Sequence, residues 1–333
     1  MNWRRFLAVL VARNKEFLRD RAALSWNIMF PVLIVIGFAF AFSGGDNTEY
    51  KVGVVASDHN ADNPFMQLNY IQFIPVDNPS LAQTKVSRHQ LDMLIDLNNN
   101  RYWINDSSAK GYFLERLLNS SAHNRYSREM LTGPQIRYVD WLIPGVLGMN
   151  MMFSALYGVG YVIVRYRKNG VLKRLKATPL NALEFLSAQL ASRLWLILAV
   201  VTIIYVGTNF FVNFIMHGNY LHLLAVFALG AFSMICLGLV VAARLRSEEL
   251  ADGMLNLATW PMMFLSGVWF SLDGLHPWVQ KLGQVFPLTH ITTAARAIML
   301  DGASLGDVAG HLAILAVMSL IFLLLGAFLF RWE

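Results

Sequence analysis

The sequence is poor in charge and nearly free of cysteine. Of its 333 residues only 14% are charged, against 56% hydrophobic, where soluble domains carry roughly 25% charged residues. That shortage excludes an ordinary soluble fold. The single cysteine, Cys236, permits no intrachain disulfide, so any segment outside a membrane must hold its fold without one. Phosphate-cradling chemistry is missing too: there is no Gly-x-x-x-x-Gly-Lys-Ser/Thr run, nor even a Gly-Lys dipeptide. No His-Glu-x-x-His run occurs, and His59, His89 and His123 lack metal-like spacing. The chain is therefore not read as an enzyme, and no catalytic, cofactor or metal residue is assigned. Its net charge of +6 does not point to nucleic acid, because the basic residues sit mostly in short loops beside apolar runs.

What the sequence has is long apolar stretches. A hydrocarbon core about 30 Å thick needs roughly 20 apolar residues in a helix. Six stretches qualify as expected spans: residues 25–42, 139–164, 185–211, 221–243, 254–270 and 312–330. The first is not read as a cleaved signal peptide, since a basic amphipathic segment precedes it and no small-residue cleavage site follows. Six spans put both termini on one side. Fifteen Lys and Arg flank the spans on that side, in residues 4–21, 165–176, 244–246 and 331, against Lys281 and Arg296 alone in the short loops opposite. The positive-inside rule makes the basic side cytosolic. Residues 43–138 become an extracytoplasmic segment, nearly neutral, with nine Lys/Arg and ten Asp/Glu. Strands are expected at 50–55, 70–76, 91–97 and 101–106, the last two around the turn Asn98-Asn99-Asn100, with helices over 80–89 and 110–131. The expectation is an α-helical integral membrane protein with a small α/β domain inserted after the first span.

Three local features narrow the function. Residues 1–24 place Trp3, Phe6, Leu7, Leu10, Val11, Phe17 and Leu18 at helical spacing beside Arg4, Arg13, Lys15, Glu16 and Arg19. That is the pattern of an interfacial helix on the inner leaflet, either a plain anchor or a docking surface. The loop 165–180 has Gly170 ending a span, then a short helix with Leu172 and Leu175 at one-face spacing among Lys173, Arg174 and Lys176, and Thr178-Pro179 as its stop. A rigid ridge of this kind suits mechanical coupling to another protein. Residues 271–308 hold two short amphipathic segments opened by Pro277 and Pro287, too apolar for a solvated loop and too short to cross, so a re-entrant hairpin is expected. Pro261 lies inside the preceding span, where it permits a kink.

These features together resemble the ABC-2 family of exporter permeases. The resemblance lies in NKEFLRDRAALSWNIMFPVL, in GVLKRLKATPL, and in SGVWF followed by HPWVQKLGQVFPLTHITTAARAIMLDG. It implies a permease subunit in a bacterial inner membrane, dimeric with a second copy or a paralogue, driven by separate cytosolic ATPase subunits that bind the ATP. Membrane lipid and a periplasmic adaptor are further candidate partners. Arg13, Glu16, Gly170, Leu172, Arg174, Leu175 and Pro179 become the expected ATPase-coupling residues. Pro261, Phe264, Trp269, Phe270 and Pro287 become the expected gate or pathway. The cargo is expected to be hydrophobic or amphipathic. Two rivals differ in kind: a membrane sensor or force-transmitting complex that moves no substrate, and an ion-coupled secondary transporter. The second usually buries ionisable groups mid-membrane; here Arg193 is the clearest charge inside a span, near an end where it is expected to snorkel.

Overall fold

The computed structural model describes residues 2–41, 50–55, 64–76, 78–121, 126–133, 136–272, 276–330 and 332; His59 and His123 lie outside them. The chain divides into two units, one made of Met1–Phe42 with Tyr138–Glu333 and one of Ser43–Arg137.

The smaller unit is a five-stranded mixed sheet in the order β2-β1-β3-β4-β5. Its strands are β1 Tyr50–Val55, β2 Ile71–Pro75, β3 Met93–Asp96, β4 Arg101–Asn105 and β5 Ser127–Leu131. β1 runs parallel to both β2 and β3, β3 and β4 form an antiparallel hairpin, and β5 joins β4 in parallel. Period-two alternation supplies two apolar faces. Met93, Ile95, Tyr102 and Ile104 pack under Leu114 and Leu118 of helix α4 (Ala109–Ser121). Leu94 and Trp103 face Ala82 and Val86 of helix α3 (Pro79–Ser87). The hairpin closes because the Asp96 carboxylate accepts the amides of Asn98 and Asn99 at 3.0 and 3.1 Å, while Asn100 takes a positive φ of 50°. The Tyr102 hydroxyl donates to Glu115 at 2.7 Å; burial and that carboxylate push the phenol up to about 12.

One expectation fails here. The helix expected over 110–131 stops at Ser121, and Ser127–Leu131 is a strand. Ser120 and Ser121 turn their hydroxyls back onto the Leu117 carbonyl at 2.9 and 2.6 Å and so help end the helix. Beyond it, Glu129 accepts from Trp103 Nε1 at 2.6 Å and Arg101 at 3.2 Å, cross-strand bonds that local periodicity does not encode.

The larger unit is helical. Helix α1 (Trp3–Arg19) is amphipathic and α2 (Arg21–Ala41) apolar, and their described parts bend by 60°. A 31-residue helix, Tyr138–Lys168, comprises α5 (Tyr138–Ala155), a π-helical turn Leu156–Tyr161 and α6 (Val162–Lys168). After it come α7 (Val171–Lys176), α8 (Ala182–Val212), α9 (Tyr220–Ala242) and α10 (Glu248–Leu265). The last three are α11 (Pro277–Gly283), α12 (Pro287–Asp301) and α13 (Ala309–Leu329). Among the described residues, four helices are long and apolar enough to cross a membrane: 138–168, 182–212, 220–242 and 309–329. The bent pair makes a fifth if counted as one span. α10 does not reach that standard alone. It starts earlier than the expected 254, because Ser247 caps it by accepting the Leu250 amide at 3.2 Å, and its first turn carries Glu248 and Glu249. It ends before Gly267, whose φ of +66° no continuing helix can adopt.

Small residues let the helices approach closely. A Cβ on Gly230 of α9 would lie 2.5 Å from Ile291, and one on Gly148 of α5 2.9 Å from Leu288, so α12 packs directly on both helices. Leu288, Ile291, Ala294, Ala295 and Ile298 are fully buried there.

Candidate functional site

The loop after Lys168 turns on Gly170, whose φ of +69° favours glycine. α7 follows, and its two leucines differ from expectation. Leu172 is 0% exposed; the expected apolar ridge points inward, against the chain's own helices, so Leu172 is not presented to a partner. Leu175 is half-buried, while Lys173, Arg174, Lys176 and Pro179 are exposed. The outward face of α7 is therefore charged, and its apolar side anchors the loop from beneath, as burial of a lone amphipathic turn requires.

Helix α1 braces this loop at two places. At one, the Glu184 carboxylate accepts the Asn2 amide at 2.5 Å and the Asn181 amide at 3.2 Å, as part of a capping box that starts α8. Arg5 adds a bond to the Pro179 carbonyl and lies 4.0 Å from Glu184. At the other, Arg13 and Glu16 pair at 2.6 Å, and both bond the Tyr166 hydroxyl. The Arg13 guanidinium also sits 5.1 Å over the Tyr166 ring. The structure thus brings Arg13 and Glu16 together with Pro179 and the approach to Gly170 as one brace. Tyr166 and Glu184, which complete it, were missed from sequence; Glu184 had a legible signal, three residues after Asn181 at a helix start.

The brace continues inward. Arg13 Nη2 reaches the Gly158 carbonyl in the π turn at 3.5 Å, and Ser192 donates to Asn14 at 2.6 Å. Arg193 does not snorkel: it is 8% exposed. Its Nε donates to the Ser154 carbonyl at 2.7 Å and its Nη2 to the Ser154 hydroxyl at 2.9 Å, with its guanidinium 5.1 Å over the Phe17 ring. α1, α8 and the π turn therefore meet around one buried cation. π turns frequently mark functional positions in helices.

The expected gate residues separate. Trp269 joins Phe38 at 5.7 Å, and its carbonyl accepts the Tyr138 hydroxyl at 2.5 Å. Phe264 stacks on Trp260 and is 46% exposed, and Phe270 is 44% exposed. Pro261 is half-buried inside α10. Pro287 is buried as the first residue of α12, where its ring suits the helix start. Arg296, counted in sequence only as a loop charge, is the clamp here. It stacks 3.7 Å over Trp141 and donates to the carbonyls of Trp141 at 3.0 Å and Gly267 at 2.6 Å.

Among the described residues no group of three or more His, Cys, Asp or Glu is placed to hold a metal. The run Gly302-Ala303-Ser304-Leu305-Gly306 has nucleophile-elbow spacing, but it lies in the turn between α12 and α13, and Ser304 donates to Asp307 at 2.8 Å.

The comparisons with known proteins agree with this architecture. The model of the family described as "ABC-2 family transporter protein" matches residues 21–328. The Escherichia coli K12 protein named "Probable multidrug ABC transporter permease YbhS" is 19% identical over 368 aligned residues, covering 99% of this chain and 95% of that protein. "ABC transporter G family member 20" of Dictyostelium discoideum is 28% identical over 192 residues, 57% of this chain but only 26% of the relative. A family model spanning nearly all of the larger unit, over a helical membrane bundle of this order, places the chain in the ABC-2 family of transporter proteins.

Proposed function

We propose that this chain is the permease subunit of an ATP-driven exporter. In this reading α10 is the fifth of six spans, 18 residues or about 27 Å long, and α11–α12 form the re-entrant hairpin. Both termini and α7 lie in the cytosol of a bacterial inner membrane, and residues 43–138 lie outside. ATPase subunits dock on the exposed face of α7 beside α1, and a second permease completes the assembly. ATP binding must favour one state of the bundle over another for transport to follow. The observation that carries the reading is the two-point brace: Asn2 and Arg5 hold Glu184 and Pro179, while Arg13 and Glu16 hold Tyr166. A push on α7 then moves α1, α8 and the long helix together. The cargo in this reading is hydrophobic or amphipathic, and the name of the Escherichia coli relative, a multidrug permease, is in keeping with a drug-like molecule.

The test uses the permease coexpressed with its ATPase. The purified chain alone is expected to hydrolyse no ATP, and the coupled complex to supply all turnover. Arg174→Glu with Lys176→Glu, both exposed, is expected to cut ATPase capture about tenfold or more by reversing the attraction at the docking face, without lowering the permease's thermal midpoint. Unchanged capture would remove α7 from the interface.

Sidedness has its own check. Cysteines at Asn99 and Gln280 are expected to react with an impermeant thiol reagent added outside intact cells, and one at Asn169 is not. The reversed pattern would invert the topology.

A further inference from the structure

We propose that a cleft of about 440 Å³ beside α7 binds the phosphate of an anionic phospholipid headgroup. Its walls are Arg167, Lys168, Gly170, Lys173, Arg246 and Trp332, four cations with no carboxylate among them. Two of these are committed elsewhere. Arg167 donates to the Ala242 and Ala243 carbonyls at 2.9 and 3.0 Å, capping the end of α9. Lys168 lies 3.6 Å from both Glu248 and Glu249. The side chains of Lys173 and Arg246 have no hydrogen bond or ion pair with any described residue. Gly170 leaves the floor open, since a Cβ there would meet nothing within 4 Å. Cations gathered in one concavity repel each other, and an anion seated among them offsets that repulsion.

Depth selects the source of the anion. The cleft lies where three membrane-length helices end: Tyr138–Lys168, Tyr220–Ala242 and Ala309–Leu329. The Trp332 ring lies 5.5 Å from Phe185, tilted against it, and meets Phe330 edge-on at 5.6 Å, the aromatic grouping found at headgroup level. Basic pockets at such helix ends suit phosphate-bearing lipid heads. The inference rests on reading these helices as spans, and not on where the ATPase docks.

The test is native mass spectrometry of the delipidated full chain, without ATPase, titrated with phosphatidylglycerol, phosphatidylcholine or inorganic phosphate. Phosphatidylglycerol is expected to be retained over phosphatidylcholine. Lys173→Gln with Arg246→Gln is expected to weaken that retention about thirty-fold, from two cations at a lipid surface. Lys15→Gln with Arg19→Gln removes two exposed charges of α1 outside the cleft and is expected to change it by less than about threefold. Equal loss in both double variants, or equal retention of phosphatidylcholine, would overturn the site. Competition by inorganic phosphate at lipid-like concentrations would reassign it to a free anion. In a parallel pull-down with the ATPase, capture that falls in the cleft variant while lipid retention stays unchanged would reassign it to the protein partner; either result overturns the proposal.

Discussion

Gly158→Ala is expected to lower the thermal midpoint of the detergent-solubilised chain by the equivalent of about 3 kcal/mol. A Cβ at Gly158 would lie 2.0 Å from the Arg193 guanidinium. Long side chains usually move aside cheaply. This one cannot, because it is buried and bonded to Ser154 and stacked on Phe17. Displacing it breaks charge-assisted bonds worth about 1.5–3 kcal/mol each and strands a cation in an apolar bundle. Arg193→Gln shortens the intruding side chain while keeping an amide donor for Ser154, so Gly158→Ala with Arg193→Gln is expected to recover at least half of the loss. Gly207→Ala on α8 is the control, since a Cβ there meets nothing within 4 Å, and helix propensity alone predicts a gain of up to about 1 kcal/mol. A midpoint for Gly158→Ala matching that of Gly207→Ala would show that the π turn does not depend on Arg193.

Leu172→Ala is the second large effect. Removing a fully buried leucine costs about 2–5 kcal/mol in cores, and α7 has only six residues to hold it in place. The expected outcome is a lower thermal midpoint together with loss of ATPase capture. Arg174→Glu with Lys176→Glu is expected to lose capture at an unchanged midpoint. The two results separate an anchor beneath the loop from a contact on top of it. Loss of capture in Leu172→Ala with an unchanged midpoint would mean that the leucine leaves its pocket to meet the partner.

Four of the six apolar spans and the strand–turn–strand at 91–106 were legible because each is a local pattern: run length and Asx-turn chemistry. The long-range bonds were not. Nothing in LYGVGY announces a π turn, and nothing around Arg193 announces burial; both follow from how α1 lies against α8, a contact between residues 178 positions apart in the Ser192–Asn14 bond. The one-face spacing of Leu172 and Leu175 was read correctly, but the side it faces depends on what lies beneath, which spacing alone does not say. β5 was mistaken for helix because Ser127–Leu131 is an edge strand whose partner, β4, supplies its pairing.

The brace also sets an order of events during synthesis. Asn2 bonds Glu184 across 182 residues, and Arg13 bonds Tyr166 across 153. At about 5–20 residues per second, the ribosome needs on the order of ten to forty seconds to make that intervening chain. For that time α1 lacks these partners, and its amphipathic face suits a lipid surface. It can dock only once α8 is made, ahead of α9 to α13, so errors in the segments between α1 and α8 would be registered there.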